Sequence, residues 1–240
     1  MEPDYLQRVV SALVQPNVGL VTALYRAQAG RSFWSMLEAV GISTDFAPGV
    51  LTARQLEGGL HFALGSTLAF TRTSLEKVGG LEPLLDHLAD DYELGERISR
   101  AGYQVEIAHT VVETHLPAYS AGEFLRHQLR WGRTLRASRP AGFTSMFLSF
   151  GFFWTLLLFL LAPATAWTFL LMGAALVTRG ALGIYVGRVL LQDEQVIRWM
   201  PLMFARDLLY PVIWLASLFG NTVVWRGERF RLRGKKLEPL

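Results

Sequence analysis

The residues able to do chemistry in this 240-residue chain fall into three short segments. The run LADDYELG at 88–95 brings two adjacent carboxylates, Asp90 and Asp91, to the expected start of a helix. Neighbouring anions raise each other's pKa while a helix N-terminus stabilises charge, a balance that tunes a carboxylate as a general base. Helix capping alone explains one such Asp; the second is the unusual one. The run HQLRWGR at 127–133 places Arg130 and Arg133 three apart on one helical face, with His127 nearly one turn before Arg130 and Gln128 beside it. Such a face clamps a pyrophosphate by bidentate contacts, and Trp131 offers a flat surface to a sugar or an acyl acceptor. A solvated basic helix with Trp131 as an interfacial anchor explains the same residues on composition alone. The third segment is Gly65-Ser66-Thr67 with Arg72, where glycine permits close approach of backbone to a ligand; a turn entering a strand explains it equally well. His61 and His115 have no partner at metal-ligand spacing, and no metal ligand is assigned within the chain.

Elements of two periodicities must position these segments. The apolar, β-branched run at 18–25 predicts a buried strand, and 31–40 a short amphipathic helix. The stretch 41–59, rich in Gly, Thr and Pro, reads as loop, with room for a short strand inside it. A strand at 66–70 and a helix at 74–78 follow, closed by Gly79-Gly80. Asp90 or Asp91 is expected to N-cap a helix over 91–101, with Gly102 at its end. A strand at 103–112 and a long basic helix at 120–138 complete the order, and strands alternating with helices indicate an α/β domain.

The remaining third is of a different kind. Hydrophobic residues make up 51% of the chain, and no ionisable side chain occurs at 146–178 or 208–225. A bilayer core needs about 20 apolar residues per helix, so these stretches read as membrane segments, the first divided near Ala162-Pro163 into a hairpin or a kinked pair. Arg126, Arg130, Arg133, Arg136 and Arg139 precede them; Arg226, Arg229, Arg231, Lys235 and Lys236 follow as a basic tail. Juxtamembrane basic clusters prefer the cytoplasmic face and anionic headgroups, which makes nucleic-acid binding the weaker reading. A hairpin plus one span would put the basic tail outside, so either 208–225 lies in the interface or a further crossing exists near 181–191. There are no cysteines, hence neither disulfides nor thiolate chemistry.

The order of these features resembles the back half of membrane glycosyltransferases of the ceramide glucosyltransferase type, and of bacterial relatives that glycosylate hopanoids. LADDYELG is similar to their acidic-pair motif, which maps the catalytic base onto Asp91 and the preceding acid onto Asp90. HQLRW resembles their (Q/R)xxRW motif, mapping onto Arg130 and Trp131, with His127 where the family has Gln or Arg; RTLRASRPAGF at 133–143 also resembles the bacterial members. The resemblance implies half of a GT-A-type α/β domain at 1–143, the acceptor side, followed by a membrane region at 144–240. It implies inverting transfer of a hexose from a UDP-sugar to a membrane lipid hydroxyl, ceramide-like or hopanoid-like, at a bacterial inner membrane with the catalytic domain facing the cytoplasm. A divalent cation, Mg or Mn, is implied too, held by an Asp-x-Asp motif in a front half. That half ends just before a segment resembling Glu2-Pro3-Asp4-Tyr5-Leu6, so the chain is expected to be truncated at its N-terminus. A fragment of a processive polysaccharide synthase and a non-catalytic membrane remnant or partner subunit remain as rival readings.

Overall fold

The computed structural model describes residues 3–225 and 227–240; Glu2 and Arg226, used above, lie outside the described residues. Helix α1 (Tyr5–Leu13) leads into strand β1 (Val18–Gln28). Helix α2 (Phe33–Gly41) continues through a π-helical turn (Ile42–Phe46) into α3 (Ala47–Leu56). Then come β2 (Ala69–Phe70), α4 (Arg72–Lys77), a 3-10 turn (Glu82–Leu84), α5 (Asp90–Arg100), β3 (Gln104–His115) and α6 (Ala121–Ser138). These elements form a mixed α/β unit, in which β1 is the central strand, antiparallel to β2 and parallel to β3. Its apolar β-branched sequence suits a strand covered on both sides, and Val18 to Leu24 are all buried. On one side Leu20 and Leu24 pack with Leu60, Phe62, Leu94 and Ile98; on the other Val21 and Ala23 pack with Val9 of α1.

Several expectations are corrected here. The stretch 41–59 is helical for most of its length rather than loop. Gly41 is there for contact: a Cβ on it would lie 2.0 Å from the Arg206 guanidinium carbon, and Pro48 sits in the first turn of α3, where proline is accepted. The strand expected at 66–70 shrinks to two residues, because 64–67 folds into a bridged turn whose Leu64 amide and carbonyl both bond Thr22 Oγ1. Neither Asp90 nor Asp91 caps α5; the cap position is Ala89, and both acids stand inside the first turn. By contrast α6 begins with a complete capping box, Ser120 with Glu123.

The second region runs α7 (Pro140–Ser149), α8 (Gly151–Leu161), α9 (Ala166–Gly183) with a π-helical extension (Ile184–Leu190), α10 (Gln195–Arg198) and α11 (Met200–Ser217). The break at Pro163 makes a hairpin: α8 ends at Leu161, Thr165 caps α9, and the two helices pack together. The possible further crossing at 181–191 is instead the continuation of α9. The combined helix Ala166–Leu190 has 25 residues, is long and apolar enough to cross a membrane, and has only 11% of its most apolar stretch buried. A core helix of a soluble protein would be mostly covered. Helices α7 and α8, bent by 42° at Phe150, pass the same test only as a pair. The uncharged stretch 208–225 is not one helix. Helix α11 starts earlier, carries Arg206 and Asp207, and ends at Ser217, and 222–225 is strand. Gly220 at φ +74 turns the chain, and Arg136 of α6 takes the carbonyls of Ser217, Leu218 and Gly220, ending the helix. The tail is folded as well: β4 (Thr222–Trp225), β5 (Glu228–Arg233) and β6 (Lys236–Pro239) form an antiparallel sheet in sequential order.

Buried charge joins the two regions. Arg206, 5% exposed, donates from Nε to Asp45 Oδ2 at 2.7 Å. Arg179 of α9 donates to the other Asp45 oxygen at 2.5 Å, to both oxygens of Asp207 at 2.7 and 2.8 Å, and to the Thr44 carbonyl. Removing one member of such a buried set strands the others, at a cost of about 3–5 kcal/mol. Asp45→Ala is therefore expected to lower stability by about that amount in denaturant unfolding of the micelle-solubilised protein, with Asp45→Asn losing less; an Ala variant unfolding like the parent would contradict the assignment.

Candidate functional site

The acidic pair sits where a loop meets α5. Asp90 is exposed and its Oδ1 accepts the Asp91 amide at 2.9 Å. Asp91 points inward, and its Oδ1 accepts the Tyr92 amide at 2.7 Å while the Gly65 amide also bonds the carboxylate. Gly65 has to be small here, since a Cβ would stand 3.0 Å from Asp91 Oδ2. Burial pushes the Asp91 carboxyl above its ordinary pKa; the Asp90 charge adds to this, and the backbone donors only partly offset it. Asp91 is thus a poorly solvated carboxylate with raised basicity beside the turn that bonds the central strand β1. Ser66 turns away, donating to the Ala23 carbonyl at 2.8 Å, so its hydroxyl fixes the turn that presents Gly65.

An aromatic wall connects this point to α6. The Tyr25 ring, whose phenol is held un-ionised first by burial and then by Glu38 and Asp91, lies 5.3 Å from Phe46. Phe46 meets Trp131 at 5.6 Å, Trp131 meets His127 at 5.1 Å, and His127 stacks on Tyr119 at 5.7 Å. The sequence reading missed Tyr25 and Phe46, although a lone Tyr at the polar end of an apolar strand was a signal for the former. The Arg130 side chain is half-buried beside this wall, and its guanidinium makes no hydrogen bond or ion pair among the described residues, while its backbone carbonyl accepts from Thr134 Oγ1 at 2.7 Å. Burial lowers its pKa, with Tyr119 and Glu38 opposing. A partly desolvated guanidinium with free donors is a ready site for an anionic leaving group.

The neighbours of Arg130 on α6 have different surroundings. Gln128 is buried, donating to Glu38 and accepting from Arg206 Nη2 at 3.3 Å. His127 Nδ1 lies 3.3 Å from Glu38 Oε1, near enough for an ion pair though not aligned for a hydrogen bond. Arg133 reaches away from the acidic pair, donating to the Thr222 carbonyl at 2.6 Å. Glu38, 1% exposed inside an otherwise apolar α2, is the group the sequence reading overlooked; one acid in the run FWSMLEAVG was its only trace. Among the described residues no three His, Cys, Asp or Glu side chains converge as a metal set, and the Asp91 oxygens are already engaged with amides. These residues do not by themselves fit a divalent cation, and no step below passes through one.

The model of glycosyl transferase family 21 matches residues 1–237, nearly the whole chain.

A carboxylate held at raised pKa costs stability wherever it must ionise. The folded state binds that proton more tightly than the unfolded one, so the cost is absent below the unfolded value of about 3.9 and complete above the folded pKa. Asp91→Asn is accordingly expected to melt at a higher temperature than the parent at neutral pH. The gap should close as pH falls through the raised pKa toward that ordinary value. A variant less stable at neutral pH would show that the carboxylate is not under strain.

Proposed function

Because the chain belongs to glycosyl transferase family 21 and is therefore a glycosyltransferase, we propose that it serves inverting transfer of a hexose from a UDP-sugar to the hydroxyl of a membrane lipid. The observation that carries this reading is the pairing of a desolvated, raised-pKa Asp91 with an unengaged Arg130 along one aromatic wall. Asp91 takes the proton of the acceptor hydroxyl as that oxygen attacks the anomeric carbon. The bond from that carbon to the diphosphate breaks with its electron pair on the leaving UDP. Direct displacement inverts the anomeric centre, and the proton stays on Asp91 until exchange with solvent. Arg130 supplies positive charge where the diphosphate leaves, an interaction that strengthens as negative charge develops. Trp131, with Phe46 and Tyr25, forms the surface on which acceptor and sugar are held. The mixed sheet of β1 to β3 would belong to the acceptor side of a GT-A-type domain.

The apolar helices account for the acceptor. The α8–α9 hairpin exposes Leu157, Leu158, Leu160, Leu161, Trp167 and Phe169, an area that lipid rather than water would cover. An aromatic cluster of Phe143, Phe147, Phe150, Trp154 and Trp214 packs the α7–α8 bend against α11, with Trp214 Nε1 donating to the Phe143 carbonyl at 2.8 Å. Tryptophans with one hydrogen-bonding edge suit the membrane interface. Helix α7 follows α6 after a single residue, an order that would tether the Arg130–Trp131 surface close to the bilayer. A lipid acceptor would then reach Asp91 without leaving the membrane.

In a transfer assay with a UDP-hexose and lipid acceptor in vesicles, Asp91→Asn is expected to lose turnover by about 10³-fold or more while expressing normally. Arg130→Ala should lose about 10²-fold in turnover, with a smaller change in acceptor KM. Trp131→Ala should mainly raise acceptor KM. Substantial turnover in Asp91→Asn would remove Asp91 from the base role.

A further inference from the structure

The C-terminal sheet touches both helices that carry the candidate site. At one end, the chain entering β4 is bound by α6: Arg133 holds the Thr222 carbonyl, and Arg136 holds the carbonyls of Ser217, Leu218 and Gly220 and the Asn221 side chain. Val223, 2% exposed, and its neighbours form one wall of a groove whose other wall is Arg126, Leu129, Arg130 and Arg133. At the other end, the β5–β6 hairpin brackets the acidic pair in sequence. Before the pair, Leu237 donates to the Asp86 carbonyl at 2.7 Å and Lys236 bridges His87. After it, Lys235 Nζ bonds Glu93 at 3.3 Å and Glu96 more closely, and stands over the Tyr92 ring.

We propose that this sheet is a strap that sets the position of Asp91 relative to Arg130, with Lys235 as its positioning residue. The inference rests on the reading of Asp91 as the base. An exposed lysine–carboxylate pair contributes little, but this one is of another kind. Lys235 bridges two carboxylates, and the Glu93 side chain is only 9% exposed. Burial alone would raise the Glu93 pKa; Arg97, Lys235 and His87 outweigh it and hold the carboxylate ionised. Residues 85–89 are turn rather than helix or strand, so the Leu237 bond and the bridge to His87 are restraints from outside the segment. A loop carrying a general base gains its precision from such supports, and a displacement of about 1 Å at a reacting group can cost 10²-fold in rate. Through the strap, the acid-bearing helix and the arginine-bearing helix are held by one shared element that bonds both.

The test uses the full chain in lipid nanodiscs, comparing Lys235→Ala, Lys235→Arg and the parent. The first readout is amide hydrogen exchange over 84–96. The second is the midpoint at which the Asp91 carboxyl titrates, followed by carbodiimide labelling and mass spectrometry. Asp90, Tyr25 and the amides of Gly65 and Tyr92 face that carboxyl and are unchanged in the variants. The strap predicts about tenfold faster exchange in Lys235→Ala and an Asp91 midpoint falling toward the ordinary carboxylate value, both restored by Lys235→Arg, with turnover reduced and donor KM little changed. Exchange and midpoint equal to the parent's would overturn the strap, whatever the turnover. Faster exchange with an unmoved midpoint would leave a tail that stabilises the helix without positioning Asp91, and would also overturn the proposal. Failure of the base assignment is separate, since it appears as turnover retained in Asp91→Asn.

Discussion

Asp45 divides its two carboxylate oxygens between two arginines from different apolar helices, Arg206 and Arg179, and the relation of the α/β unit to the apolar helices depends on this arrangement. Each charge would be costly alone in surroundings where Arg206 and Glu38 are almost wholly covered. Together they are mutually satisfied, so the two regions can adopt one relative placement and few others. The π-helical turn Ile42–Phe46 belongs to the same constraint, because it delivers Asp45 toward the arginines while turning Phe46 toward Trp131. Glu38 extends the cluster to α6 through Gln128 and His127. The orientation of the helix bearing Arg130 and Trp131 is thus set by buried charge rather than by apolar packing alone.

That constraint explains why the catalytic and apolar parts resist separate treatment. Helix α6 is held at its N-terminal half by Glu38 and at its C-terminal half by Arg136 on the end of α11 and Arg133 on β4. Between those anchors the Arg130 guanidinium makes no hydrogen bond or ion pair among the described residues. Arg133 and Arg136 of this basic helix are engaged by carbonyls of the chain itself. The Arg130 guanidinium lies beside the aromatic wall and belongs to the arginine onto which the resemblance maps.

The segments from which the candidate site is built were legible because each is contiguous and carries a local signal. The acidic pair at the start of an amphipathic helix and the Arg-Trp face can each be read within one element. What escaped was carried by single residues whose partners are far away in sequence. Glu38, Asp45 and Arg206 are spread across more than 160 positions, and nothing local marks them as neighbours. Counting charges along 208–225 joined a helix end to a strand, since the absence of ionisable groups says nothing of where a glycine turns the chain. In the tail, ERFRLRGKKLEP alternates charged and apolar residues around a Gly-Lys turn, a hairpin pattern that its density of basic residues masks. The 41–59 loop expectation failed because Gly41 serves a close contact and Pro48 a helix start.

The central claim is that a desolvated Asp91 removes the acceptor proton at a membrane-tethered site. The most direct measurement is the pH dependence of kcat/KM for hexose transfer from a UDP-sugar to a vesicle-borne lipid, with folding monitored in parallel. The account predicts an acid limb whose midpoint lies above the ordinary aspartate value of about 3.9, because burial and Asp90 hold the Asp91 proton more tightly in the folded protein. A rate that stays level down to the pH at which the protein unfolds would contradict it.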